Sequence, residues 1–537
     1  METNVLYYGD NLEILRKYIP DNSIDLIYLD PPFNSKATYN VLFKEPSGEP
    51  SQAQISAFDD TWHWGTESEK EFQEIIMHAP VNVAELITAF RNFIHQNDMM
   101  AYIVMMCIRL IELRRVLKDS GSIYLHCDPT ASHYLKLLMD VIFSPKNFHN
   151  EIVWKRATTV KGNVGQGSKL WGQATDSLLF YTKAENYVFN QPFTDYSEEY
   201  KTKAYRYLEP ATGRYYRLVS MIGPGGAAKG NPRYEVMGVT RYWRYSQKKM
   251  QELIDNGLVV QPSPGAVPHR KYYLDEGKGV PIQSLWTDIP NLQAADAERL
   301  GYPTQKPETL LERIIQASSN EGDIVLDPFC GCGTALIAAQ KLNRQWVGID
   351  ITHLAIGVMK WRLDKMFPGI KYKVIGEPKD LAGAKELAKD NKFEFQWWVV
   401  SLIGGQPYGD KKKGADTGID GYLYFMDEKD KVKKAIISVK GGGTSVKDIR
   451  DLGHVIDREK AEIGLFLTLE NPTKPMSTEA ITKGFYHSPL GKDYPKIQIL
   501  TIEELLNDKK PDIPPWVAPI QAPPKHKQEK SKSARLL

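Results

Sequence analysis

Three stretches of this 537-residue chain carry side chains able to do chemistry together. The first is Asp30-Pro31-Pro32-Phe33, which closes the apolar run Ile27-Tyr28-Leu29. Each proline fixes φ and removes an amide donor, so the turn after the run is stiff. It presents one carboxylate, one rigid carbonyl and one aromatic ring. An exocyclic base amine is a poor nucleophile because its lone pair is delocalised into the ring. A carboxylate (Asp30) and a carbonyl (Pro31) that each accept one N–H localise that lone pair, and the help grows as positive charge builds on nitrogen. Phe33 supplies a face on which a base can stack. The second stretch, DIVLDPFCGCGTALIAAQ, sets Gly331 and Gly333 between a strand and a helix, where backbone can approach a ligand at the helix N-terminus. Asp350 ends the next strand, 17 residues after Gly333, where an acid can accept hydrogen bonds from ribose hydroxyls. The third is a hairpin, DGYLYF and KKAIISVK around a charged turn. With the turn centred on Lys429, Asp420 falls opposite Ser438, and Lys440 is its diagonal neighbour on the same face. A carboxylate beside a lysine there could hold a metal ion and a water.

The elements that must position these groups are legible from pattern. VLYYG, IDLIYLD and SIYLHCD read as strands of a doubly wound parallel sheet, separated by helices over DNLEILRKYI and AYIVMMCIRLIELRRVLKD. DSLLFYTK reads as a later strand of the same sheet. From about 186 to 300 regular patterning stops, and Tyr, Arg, Lys, Gly and Pro dominate. It resumes with TLLERIIQASS as helix, DIVLDPF as strand, GTALIAAQKL as helix and QWVGIDI as strand. The fold class is therefore α/β, one sheet interrupted by a basic-aromatic insertion, followed by a smaller α/β unit. The expected domains are 1–185, 186–300, 301–375 and 376–506, with 507–537 a disordered Pro- and Lys-rich tail.

Composition limits the function classes. A net charge of +2 confines any nucleic-acid surface to a local patch. Four cysteines in so long a chain make no disulfide framework, and Cys330-Gly-Cys332 lacks a second pair at zinc spacing. The most apolar run, at 99–108, is too short for a bilayer and meets Arg109. The N-terminus has no basic-then-apolar leader. These features read as a cytoplasmic protein with reduced thiols.

DPPF after a strand, with TQKP and DPFCGCGT later, resembles the S-adenosylmethionine-dependent DNA amino-methyltransferases of the circularly permuted β group, over residues 4 to about 375. The resemblance implies that Asp30 and the Pro31 carbonyl hold the target amine and that Phe33 stacks on the flipped base. It implies a methionine-side cofactor loop of Asp327, Phe329, Gly331, Gly333 and Thr334, with Thr304 and Lys306 near the methionine carboxylate and Asp350 on the ribose. Asp10, in YYGDN, would lie near the adenine. Phe33 stands where Tyr is commoner and Cys332 where Ser is. Asp at position 30, where cytosine-N4 enzymes more often carry Ser, favours adenine N6. The insertion becomes a target-recognition region for double-stranded DNA, and the expected partners are a second copy of the chain and a cognate restriction endonuclease.

GADTGIDG…SVK, with FEFQWW upstream, resembles the Mrr-like branch of the PD-(D/E)xK nucleases over about 390–505. That likeness implies Asp420 as a Mg²⁺-binding acid, Lys440 as the catalytic lysine and Glu394 as a supporting acid. Ser438 departs from the acid or Gln expected there. Three readings follow: an adenine-N6 methyltransferase with a nuclease-like domain, a bifunctional restriction-modification enzyme (or a cytosine-N4 methyltransferase), and a non-catalytic DNA-binding protein.

Overall fold

In the computed structural model, residues 1–32, 38–44, 50–59, 63–157, 169, 171–293, 296, 298–300, 302, 304–408, 418–428 and 431–514 are described. The large sheet draws on both ends of the first 375 residues. In chain order its strands are β1 (Val5–Tyr8), β2 (Ile24–Leu29), β3 (Leu117–Cys127), β4 (Phe148–Lys155), β5 (Thr175–Thr182), β6 (Leu285–Trp286), β7 (Ile324–Asp327), β8 (Gln345–Asp350) and β9 (Lys373–Ile375). Across the sheet they run β6-β4-β5-β3-β2-β7-β8-β1-β9. The central strands β3, β2, β7, β8 and β1 are parallel, and the apolar runs of β1, β2 and β7 and of the second half of β3 are those of strands covered on both faces.

Two expectations need correction. The sheet is mixed, because β5 enters antiparallel between β3 and β4. The crossover from β3 through the helix Ser132–Phe143 to β4 leaves a one-strand gap, which β5 fills on the way back. The helix read over 101–119 spans Asp98–Val116, and Leu117 already pairs with Ile24 at the head of β3. The register shift that follows lets Lys118 reach Asp25 at 2.8 Å, so the polar residues 118–121 leave the ladder without burying charge. Two further helices, Thr66–His78 and Val81–Ile94, precede that long one and were not anticipated. Among the described residues no helix is long and apolar enough to cross a membrane.

Residues 191–283 form a compact unit of their own. Far from irregular, it holds an antiparallel sheet ordered Val259–Val260, His269–Tyr273, Tyr215–Ser220 and Tyr207–Leu208. On one face Arg217 donates to the Tyr200 hydroxyl at 2.7 Å and lies 5.5 Å from the Tyr205 ring centre.

The C-terminal residues build a five-stranded sheet with helices Lys392–Leu402 and Val446–Glu459 packed on it. The hairpin register is the expected one, Gly421 opposite Ile437. The residues after the last helix are not all tail. Asp512 donates its amide to Gln498 at 2.8 Å and Ile513 packs on the core, so 507–514 belong to the domain; 515–537 lie outside the described residues.

Candidate active site at the carboxyl edge of the sheet

Because β1, β2, β7 and β8 are parallel neighbours, their carboxyl ends meet along one edge. That edge delivers Asp10, Asp30 and Asp350 to a cavity of about 250 Å³, with Asp327 lining a smaller one beside it. Gly9, Asp10, Asp30, Pro31, Pro32, Thr304, Phe329, Gly331 and Asp350 all line it. The amine motif and the glycine turn, some 300 residues apart in sequence, thus share one cavity. Phe33 lies outside the described residues.

Four carboxylates on one edge repel one another unless each is compensated, and each is compensated differently. Asp10 caps the helix Asn11–Tyr18 through Oδ1, which accepts the Leu12 amide at 2.8 Å, while Oδ2 takes Arg109 at 2.8 Å. Both of its oxygens are therefore engaged within the fold. Asp30 pairs through Oδ2 with the ammonium of Lys306, while Oδ1 is buried with no hydrogen-bond partner among the described residues. An orphaned carboxylate oxygen at a cavity wall is an acceptor ready for an N–H donor. Asp327 accepts the Phe329 amide at 3.1 Å, and burial pushes its carboxyl well above the ordinary range. Asp350 accepts the Gly331 amide and the Thr352 amide and hydroxyl, each at 2.9 Å. Burial raises it to about 6, with those hydrogen bonds opposing the rise.

The glycine turn is built for close approach. Gly331 (φ +50°) sits under the Tyr302 ring, and Gly333 (φ +77°) opens the helix Thr334–Lys341. A Cβ on Gly333 would stand 2.7 Å from Met359 Cγ. Buried Arg362 fixes the turn from below, donating to the Cys332 carbonyl at 3.1 Å, the Thr334 hydroxyl at 3.3 Å and Glu308 at 2.6 Å. Thr334 faces a second, smaller cavity of about 40 Å³ beside Asp30 and Lys306.

Lys306, expected near a methionine carboxylate, lines the smaller cavity with Gly331; its ammonium pairs with Asp30 and donates to the Thr304 carbonyl at 3.3 Å. Thr304 itself holds a positive φ of 59°, uncommon for a β-branched residue, at the junction of the two cavities. Sequence reasoning passed over Arg109, Tyr302, Ile351 and Thr352, all of which line the main cavity. Arg109 is buried, and donates to Asn11 at 2.7 Å and Glu71 at 3.0 Å as well as to Asp10. Its signal was in view: a lone cation in the apolar run of a helix needs buried anions.

The nuclease-like residues are held by separate partners. Asp420 Oδ2 accepts the Val439 amide at 2.7 Å, and Lys440 pairs with Asp448 at 3.5 Å. Glu394 is drawn to the start of the helix His353–Met366, where it accepts the His353 amide at 3.3 Å. Among the described residues no cluster of three or more His, Cys, Asp or Glu could hold a metal. Among the described residues, neutral Ser438 beside Asp420 stands where the resemblance expects a second acid or Gln.

The profile of the family described as DNA methylase matches residues 24–358. The chain belongs to the N6/N4 DNA methylase family. It is 32% identical over 253 residues to the type II methyltransferase M.EcaI of Enterobacter cloacae, covering 47% of this chain and 54% of that protein. It is 26% identical over 359 residues to the Mod subunit of the StyLTI type III restriction-modification enzyme of Salmonella typhimurium, covering 64% of this chain and 50% of that protein. With the DNA adenine methyltransferase YhdJ of Escherichia coli it shares 26% over 364 residues, 68% of this chain and 83% of that protein. The chain thus spans about half the length of the first two relatives.

Proposed function

We propose that the protein is a restriction-modification DNA methyltransferase that moves a methyl group from S-adenosylmethionine to the N6 amine of adenine in duplex DNA. The observation that carries this reading is the single cavity shared by Asp30, with its orphaned oxygen, and the Gly331–Asp350 cofactor edge. When bound there, S-adenosylmethionine supplies an electrophilic methyl on sulfur. Asp350 would accept the ribose hydroxyls, and the Gly331–Gly333 turn would admit the methionine end close to backbone. Asp30 Oδ1 and the Pro31 carbonyl would each accept one N–H of a base turned out of the duplex, with Phe33 stacking on it. The Lys306 ammonium lies against Asp30 Oδ2 and leaves Oδ1 to the amine, whose growing positive charge a carboxylate stabilises.

Adenine is preferred over cytosine because residue 30 is Asp, and because YhdJ is by name an adenine methyltransferase. The basic-aromatic unit at 191–283, within the insertion, is assigned to target recognition, where Arg217 among tyrosines suits backbone contact and stacking. The C-terminal sheet is assigned as a nuclease-like domain that binds DNA without cutting it. A cognate endonuclease would then supply cleavage, a partnership in keeping with the Mod-subunit relative.

Incubation of the purified protein with unmethylated DNA and labelled S-adenosylmethionine, with and without Mg²⁺, tests all of this once the DNA is digested to nucleosides. Label in N6-methyladenine and intact DNA are expected. Label in N4-methylcytosine would overturn the base assignment, and Mg²⁺-dependent fragments lost in Asp420→Ala would overturn the non-cutting assignment.

A further inference from the structure

Beneath Asp30 lies a buried polar chain that the reading above leaves without a task. Tyr28 shares a face of β2 with Asp30, two residues away, and lines the small cavity with Asp30 and Lys306. Its hydroxyl is 3.0 Å from His126 Nδ1 on β3. His126 Nε2 is 3.3 Å from Asp176 Oδ2 on β5, and Asp176 Oδ1 is 3.0 Å from Arg156 Nε. His126 is 0% exposed and Asp176 1%, so these two are sealed within the sheet, while Arg156 at the far end is partly exposed. Burial alone would push the Asp176 carboxyl up, but the His126 hydrogen bond and the nearby charges of Lys306 and Arg156 hold it below the ordinary range. With Asp176 an anion, Nε2 carries its proton toward it, and Nδ1 is left to accept the Tyr28 O–H.

A methylated amine must lose a proton, and a base seated on one side of the cavity with cofactor on the other shuts that proton away from bulk water. We propose that Tyr28, His126 and Asp176 form a positioning relay beneath Asp30 that takes up the proton shed by the target amine. The inference rests on the amino-methyltransferase reading and holds for either base. As the nitrogen–carbon bond forms and the carbon–sulfur bond breaks, the amine proton passes to Asp30. From Asp30 it crosses the small cavity, which at about 40 Å³ has room for a bridging water, to the Tyr28 oxygen. The phenolic proton moves at the same time to His126 Nδ1, and the imidazolium is stabilised by Asp176, the arrangement of an acid that orients a base. Tyr28 is neutral before and after, Asp30 is again an anion, and the proton returns by the same path when product leaves. The titratable and charged groups around His126 include Tyr28 from β2 and Asp176 from β5, with Arg156 and Asp128 beyond Asp176 and Lys306, Asp30 and Asp327 across the cavity.

The test is the single-turnover rate on unmethylated plasmid DNA with tritiated S-adenosylmethionine, from about pH 5 to about pH 9, a range that spans histidine titration. The wild-type rate is expected to fall on the acid side with a one-proton slope, because the relay runs only while its acceptor is free of a proton. Tyr28→Phe and His126→Asn should lower the plateau by about tenfold to hundredfold and erase that limb, with cofactor Kd within about twofold of wild type. Tyr28→Phe removes one hydroxyl and keeps the ring, so it guards against misfolding of the histidine variant. A Tyr28→Phe protein with the wild-type plateau and limb would overturn the relay. So would variants slowed equally at every pH with the limb intact, the mark of a purely structural role. Wild-type protein that labels no base would overturn the relay together with the methyltransferase reading, and is distinguished by that.

Discussion

Gly333→Ala perturbs the proposed cofactor edge at a point where the structure permits a worked magnitude. The residue opens the helix Thr334–Lys341 at φ +77°, and its new methyl would meet Met359 Cγ at 2.7 Å and Sδ at 3.1 Å. The left-handed backbone costs an alanine about 1–2 kcal/mol. Pressing a methyl into packed side chain costs about 1–3 kcal/mol more. The loss of stability is therefore expected at about 2–5 kcal/mol, read from urea unfolding. A second variant separates the two terms. Met359→Ala empties the space that the new methyl enters and alone costs about 2–5 kcal/mol as a cavity. In the double variant the clash disappears and only the backbone cost remains, so the two changes should be sub-additive by about 1–3 kcal/mol. Cofactor affinity, by calorimetry, should stay weak in both Gly333→Ala proteins, because the turn that Arg362 and Asp350 hold is displaced either way. A single variant within about 0.5 kcal/mol of wild type, or strict additivity in the double, would refute the reasoning.

Lys306→Met leaves Asp30 buried without its cation, at an expected cost of about 3–5 kcal/mol in urea unfolding. Asp350 gives two pH effects of opposite sign. Its carboxyl is raised from 3.8 to about 6, so its contribution to stability without cofactor is full below about 3.8 and about 3 kcal/mol smaller once the pH passes 6. If Asp350 accepts the ribose hydroxyls as proposed, it does so as the anion, and cofactor affinity measured by calorimetry should fall about tenfold per pH unit below about 6 and lose that dependence in Asp350→Asn. Arg109→Lys keeps the charge but not the fork that reaches Asp10, Asn11 and Glu71, and is expected to cost about 3 kcal/mol of stability in the same denaturation assay.

How much of this was legible in the sequence follows from where the information lies. Asp30, Asp327 and Asp350 each end a short apolar run, and buried parallel strands announce themselves as such runs, so the carboxyl edge could be drawn before the fold was seen. The hairpin of Gly421–Glu428 and Lys431–Lys440 was legible for a similar reason, since its two arms are close in sequence. The antiparallel entry of β5 was not, because strand direction is set by a crossover and leaves no mark in the strand itself. Nor was the pairing of Lys306 with Asp30, whose partners are 276 residues apart. Arg109 was seen only as the end of an apolar run, though a buried guanidinium implies the anions that the fold brings to it.

The central claim is that one edge of the sheet divides its labour, Asp350 holding cofactor and Asp30 activating the amine. The most direct measurement sets cofactor Kd, by calorimetry, beside the single-turnover methylation rate for Asp30→Ala and Asp350→Asn. The account predicts that Asp30→Ala binds cofactor within about twofold of wild type while losing about a hundredfold or more in rate, and that Asp350→Asn weakens binding first. An Asp30→Ala protein that methylates at the wild-type rate, or loses cofactor binding and rate in equal measure, would contradict it.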